Sequence, residues 1–232
     1  MNKKYISLLC VSLLFIFIFL TGCSSTLRSS SNSSNWEVVG TSLFDNLSAS
    51  AINVDLATIT GNVPCVFYQT TINATTRTAI VKKFNGTNWI VMESIANAWD
   101  PNIASDTDGN PAIAYLQANT GSQAVVKHYN STTATWDSLG GATLVNAKQP
   151  ILAYDKNDNL YVAYVDGSNY ITVKKYLSSS NAWTTVGSAG FAGPVSDMKV
   201  QFKVADNGTL YVLYNKDNGD STSSLYCVRY VP

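Results

Sequence analysis

Polar and apolar positions divide this chain into three regimes. Residues Tyr5 to Leu20 form an apolar run broken only by Ser7, Cys10 and Ser12. The next stretch, SSTLRSSSNSSN at 24–35, is rich in Ser and Asn and has no apolar period. From Trp36 to Pro232, short apolar or alternating segments are separated by clusters of Gly, Asn, Asp and Thr. Such segments predict strands joined by tight turns, and the helical spacing i, i+3, i+4 is absent.

The strand-like segments recur. WEVVG at 36–40, WIVME at 89–93, WDSLG at 136–140 and WTTVG at 183–187 share a leading Trp. VPCVF at 63–67, PAIAY at 111–115, LYVAY at 160–164 and LYVLY at 210–214 each end in an aromatic. A third element is VKKF at 81–84, VKHY at 126–129, VKKY at 173–176 and CVRY at 227–230. A fourth precedes each aromatic-ended segment: INVDLA at 52–57, PNIASD at 101–106, PILAYD at 150–155 and VQFKVAD at 200–206. Turn residues TGN, TDGN, KNDN and NG lie between, as in β-hairpins. The unit is four strands in a meander, A to D, and strand B is apolar throughout, as a strand buried on both faces is. Four such units predict an all-β, four-bladed β-propeller of four-stranded antiparallel blades. The Trp motif is out of phase: Trp36 precedes the first A strand, and no D strand follows CVRY. The N-terminal strand is therefore expected to close the last blade, with Trp36 beside Tyr226–Tyr230. The repeats resemble those of bacterial secreted propellers with DxNGxxYVAY and WxxVG elements, a likeness that implies fold alone.

The first 25 residues read as an address. Lys3 and Lys4, the apolar run and small residues after it have the layout of a secretory signal. The run is shorter than the roughly 20 apolar residues of a membrane span. Leu20-Thr21-Gly22-Cys23 resembles the lipobox of bacterial lipoproteins. The resemblance implies that Cys23 carries a diacylglycerol, that the chain is cut before it, and that the protein is held on a bacterial membrane. Ser24 in place of Asp implies the outer membrane where the organism has one. The expected divisions are a signal peptide at 1–22, a lipidated Cys and Ser-rich tether at 23–35, and the propeller at 36–232.

Composition removes several function classes. Lys+Arg and Asp+Glu number 15 each, so no basic excess points to nucleic acid. His128 is the single histidine and occupies the position of Lys83, Lys175 and Arg229 in the other units. Clusters of His and Cys for a metal are missing, and no cofactor is expected. DTDGN at 106–110 and DKNDN at 155–159 lack the spread of ligands a calcium loop needs and read as turns. The arginines are Arg28, Arg77 and Arg229, too few near one place for a three-arginine carboxylate clamp. Cys65 and Cys227 fall in apolar strand patterns and are expected to be free, buried, slowly reacting thiols.

Trp99 stands apart from the repeated Trp position, in NAWDPN between a D strand and the next A strand. The D–A and B–C loops of a propeller share a face. Trp99 and Tyr170 there would stack on a sugar or peptide, with Asp166 and Gln117 supplying hydrogen bonds. No residue is assigned a catalytic role at this point. The resulting expectation is a lipid-anchored, non-catalytic envelope module binding a glycan or a protein. The alternatives are a scaffold subunit without a small ligand, and a carbohydrate-active hydrolase or lyase using loop carboxylates such as Asp100 and Asp166.

Overall fold

The computed structural model describes residues 37–40, 50–71, 77–118, 123–141 and 144–232. Cys23, the tether and Trp36 lie outside them. The described chain is an all-β, four-bladed propeller. Blade 1 contains β1 (Ser50–Ile59), β2 (Val63–Thr71), β3 (Arg77–Phe84) and β4 (Trp89–Ala96). Blade 2 contains β5 (Ala98–Ser105), β6 (Pro111–Gln117), β7 (Gln123–Asn130) and β8 (Thr135–Ser138). Blade 3 contains β9 (Lys148–Tyr154), β10 (Leu160–Val165), β11 (Ile171–Leu177) and β12 (Ala182–Thr185). Blade 4 contains β13 (Val195–Val204), β14 (Leu210–Asp217) and β15 (Ser223–Tyr230). Each sheet is an antiparallel meander in chain order. The fourth has three strands among the described residues, and the strand expected to complete it centres on Trp36.

Packing follows from strand B. β6 and β10 are buried along almost their whole length, so each fills two inter-blade cores. Side chains of opposite parity serve the two sides. Ile113 and Tyr115 face blade 1, while Ala112, Ala114 and Leu116 face blade 3. Three such cores hold the blades together, between blades 1 and 2, 2 and 3, and 3 and 4.

The repeated Trp is a rivet between blades. Trp183 donates its indole N–H to the Leu139 carbonyl in the preceding blade, at 3.3 Å. Its ring lies on Gly140, where a Cβ would come within 2.2 Å of the indole, and Gly140 has a φ of +68°. Trp89 does the same at Val39, with a bond of 3.2 Å, and covers Gly40. The Gly of WxxVG is thus required by the next blade's Trp. WIVME lacks that Gly, and the Trp136 N–H that would use it is buried without an acceptor. At Gly187 no Trp follows. Tyr230 lies nearest there, beside a pocket of about 150 Å³ bordered by Val186, Val212 and Val228.

Polar latches join the blades near the hub. Asp55 of blade 1 accepts from the Asn102 amide at 2.6 Å and the Ile103 N–H at 2.9 Å in blade 2. Asn102 in turn accepts from the Leu152 N–H of blade 3 at 2.6 Å. At the rim, Asp158 accepts from the backbone N–H and hydroxyl of Thr107, both at 2.7 Å. Asp106 and Asp155 close their own hairpins by accepting from Asn110 and Asn159, the turn role their sequence predicts.

The side of blade 1 away from blade 2 and the side of blade 4 away from blade 3 carry no buried cluster among the described residues. Leu56 is 61% exposed, whereas its repeat equivalents Ile103, Leu152 and Phe202 are 5%, 5% and 1% exposed. On blade 4, Leu213 pairs with Cys227 where other blades pair Phe67 with Val81, Ala114 with Val126, and Ala163 with Val173. Those six residues are buried; Leu213 and Cys227 are exposed. The expectation that Cys227 is buried is therefore corrected: it sits at a core position whose covering side is not filled. Cys65 is buried, as expected, but pairs with Ala57 as Ala112 pairs with Ala104. It corresponds to Ala112, one place from the alignment with Ile113 that the aromatic ends imply. Both thiols are free.

Candidate functional site

The four A strands surround a hub cavity of about 710 Å³. All four shift register against their B strands, and three of them do so at a non-Gly residue with positive φ. The register shifts beside Asn53 in β1, Asp100 in β5 and Gln149 in β9, with φ of 51°, 48° and 48°. A bulge turns one residue out of the ladder and re-aims its side chain. Here it places an amide, a carboxyl and an amide, at equivalent positions, on the lining of one cavity. Holding a non-Gly residue at positive φ costs about 1–3 kcal/mol; eight other non-Gly residues do so elsewhere among the described residues, so it is the shared position in three A strands that marks these.

Asp100 is the centre of this group. Its carboxyl accepts from the Asn53 amide at 3.3 Å, and its own N–H donates to Gln69 Oε1 at 3.3 Å. Burial pushes the Asp100 carboxyl above the usual range, against the backbone N–H of Gln149 and the nearby Arg77 charge, which pull it down. A carboxyl held this way keeps its proton to higher pH, the property of a general acid. Asp55 is the other carboxylate lining the cavity. Both of its oxygens accept N–H groups, from Leu56 at one and from Asn102 and Ile103 at the other.

Arg77, at the start of β3, extends over the ring of Trp99 at 4.3 Å from its centroid. Its backbone carbonyl accepts from the Asn97 N–H at 2.8 Å, which ties β3 to the turn before β5. Five buried side-chain polar atoms lack a partner among the described residues. Four belong to Gln149, which lines the cavity, to Gln69, which bonds Asn53 and Asp100, and to Thr71 and Arg77, which pair across β2 and β3. Each unpaired buried group costs about 1–3 kcal/mol. Most proteins carry few, and a concentration at one place needs a reason beyond folding.

The predicted binding residues separate. Trp99 is 37% exposed and directly precedes Asp100, but it lies in strand β5 rather than in a loop, paired with Leu116, and is not itself part of the cavity lining. Gln117 donates to the Ala96 and Asn97 carbonyls at 3.2 and 3.4 Å and so sets the turn that presents Trp99. Asp166 accepts from the N–H groups of Ser168 and Tyr170 and shapes its own turn. Tyr170 packs near Gly190 and Gly193 on the link leading out of blade 3. The bonds of Asp166 and the packing of Tyr170 stay on that side, and the structure does not gather them around Trp99. Gln69, Arg77, Asn53 and Gln149 were not singled out in the sequence. Gln69 left a trace: it is the first polar residue after the apolar run of β2. Among the described residues no group of His, Cys, Asp and Glu is arranged to hold a metal.

No family model and no curated protein matches the sequence. Solved structures do match by fold. The Hadza microbial sialidase Hz136 aligns with a TM-score of 0.56 at 12% identity, over 79% of this chain and 43% of that one. Trypanosoma rangeli sialidase in complex with the inhibitor DANA aligns with a TM-score of 0.53 at 10% identity, over 78% and 37%. Bacillus subtilis arabinanase Arb43A gives 0.48 at 16% identity, over 78% and 72%. The chain thus spans less than half the length of the sialidases it matches. At these identities the likeness establishes the propeller fold. The expectation of a non-catalytic binding module is corrected: the structures sharing the fold carry glycoside-hydrolase titles. The cavity lined by Asp55 and Asp100 leaves no mark in the sequence, because residues 45 positions apart are brought to it only by folding.

Proposed function

We propose that this protein is a carbohydrate-active hydrolase whose site is the mouth of the hub cavity. The observation that carries the reading is Asp100: a strained, half-buried carboxyl, biased toward its protonated form, on the lining of a cavity that holds one other carboxylate. Glycoside hydrolysis ordinarily uses two carboxyl groups, one giving a proton to the leaving oxygen and one acting on the sugar or on water. Asp100 takes the acid role and Asp55 the second. The glycosidase titles of the fold's sialidase neighbours support this class. They do not extend to sialic acid, because Arg77 is the single arginine at the mouth. Trp99 serves as a stacking surface, with Gln117 holding its turn; Tyr170 and Asp166 take no part. The lipobox resemblance supports a protein anchored through lipid on Cys23 to a bacterial membrane, the outer one where present, and acting on glycan outside the cytoplasm.

The test is a panel of neutral polysaccharides and aryl glycosides offered to the full chain. Release of reducing ends is expected from at least one, with Asp100→Asn lowering kcat by a hundredfold or more. Activity unaffected by both Asp100→Asn and Asp55→Asn would remove the hub from consideration.

A further inference from the structure

We infer that Trp99, Arg77 and Gln149 form a subsite for one neutral, polyhydroxylated sugar ring beside Asp100. The inference rests on the hydrolase reading for its setting but on separate observations for its content. The first is the clustering of unpaired polar atoms. The unsatisfied atoms linked to Asp100 and Trp99 are the Gln69 amide nitrogen, the Thr71 hydroxyl beside Arg77, the Arg77 Nε–H and the Gln149 amide oxygen. They mix donors and acceptors, and three of the four belong to uncharged groups. A sugar hydroxyl both donates and accepts, so vicinal hydroxyls satisfy such a set, while a carboxylate only accepts. Gln149 lines the cavity. Gln69 is fully buried and acts by holding the Asp100 backbone N–H and the Asn53 amide.

The second observation is the aromatic. The guanidinium of Arg77 lies over the Trp99 ring at 4.3 Å, yet Trp99 keeps 37% of its surface exposed. A ring held by a cation and partly open to solvent is a stacking surface that loses little freedom on binding. The C–H face of a sugar suits it. The cation of Arg77 is already engaged by the ring, which leaves less of it for an anionic sugar. The Asp55 carboxylate on the same cavity adds repulsion against one.

The experiment uses the full chain, with neutral arabino-, xylo- and galacto-trisaccharides as probes and N-acetylneuraminic and galacturonic acids as charged counterparts. The readout is the indole N–H resonance of Trp99, assigned from its loss in Trp99→Phe. At least one neutral trisaccharide is expected to shift it, at tenfold or lower concentration than either acid. Arg77→Gln and Gln149→Leu should each weaken that binding fivefold or more. In hydrolysis, Arg77→Gln should also move the alkaline limb of the pH profile upward, since a nearby positive charge is removed from the Asp100 carboxyl. If Arg77→Gln fails to fold, Gln149→Leu decides alone. The inference is overturned if no neutral probe shifts Trp99, if an acid binds as tightly, or if the folded variants bind like the parent. Binding without hydrolysis leaves the subsite standing and removes the hydrolase. Hydrolysis with unchanged KM in both variants does the reverse.

Discussion

At the scale of single residues, burial decides what each side chain does. Cys65 has its thiol pushed up to about 12 by burial, only partly opposed by Lys83. Cys227 is exposed on β15. Alkylation at pH 8 without reductant should therefore label one thiol within minutes and the other only on denaturation, and Cys227→Ser should abolish the fast phase. Asp155 shows the opposite balance for a carboxyl. Burial acts to raise it, but hydrogen bonds from Asn159 and Asn157 outweigh that, and the net shift is downward. A lowered carboxyl contributes stability above its unfolded value of 3.8, lost as pH falls below it. Asp155→Ala should cost about 1–3 kcal/mol at neutral pH by stranding those N–H groups. Its unfolding should also be less acid-sensitive between pH 4 and 2 than the parent's, measured by urea titration across that range.

At the scale of elements, the meander and the hairpin turns were legible because period-2 patterning and Asp/Asn/Gly turns act locally. The register of strand B was not. β2 and β6 are apolar on both faces, so nothing in their sequence marks which parity faces which neighbour, and the aromatic ends point one place away. The bulges at Asn53, Asp100 and Gln149 were hidden for a related reason. They place three different residue types at equivalent positions, and no shared letter reveals them. The WxxVG motif was visible, but the reason for its Gly lies in the next blade. Gly140→Ala must move the Trp183 ring and hold a Cβ at positive φ. It should lower stability by about 2 kcal/mol or more, with a changed tryptophan emission in the native state. Trp183→Phe keeps an apolar ring but loses the bond to Leu139, and should cost about 1 kcal/mol.

At the scale of the molecule, the number of blades came from counting, while the site emerged only from closure of strands around a hub. Asp55 illustrates the difficulty: in sequence it is one Asp among many, and in the fold it both latches blades 1 and 2 and lines the cavity. A variant there changes two things at once. Asp55→Asn keeps a side-chain oxygen for the Ile103 N–H and should lose activity with little loss of melting temperature, whereas Asp55→Leu should lose both. Calorimetry beside the hydrolysis assay separates them.

The uncovered flank of blade 4 has a consequence for how the protein behaves at high concentration. Among the described residues β15 has no outer neighbour, and Leu213 and Tyr211 are exposed on the adjoining face. Unsatisfied strand edges beside apolar surface recruit other chains. A chain beginning at Ser50 keeps this flank and loses every residue before it. Its light scattering should rise with concentration far more steeply than that of the full chain. Leu213→Lys should suppress the rise without altering the hub, since Leu213 points away from the core shared with blade 3. Self-association would then be governed by the flank of blade 4, apart from the carboxylates that line the hub.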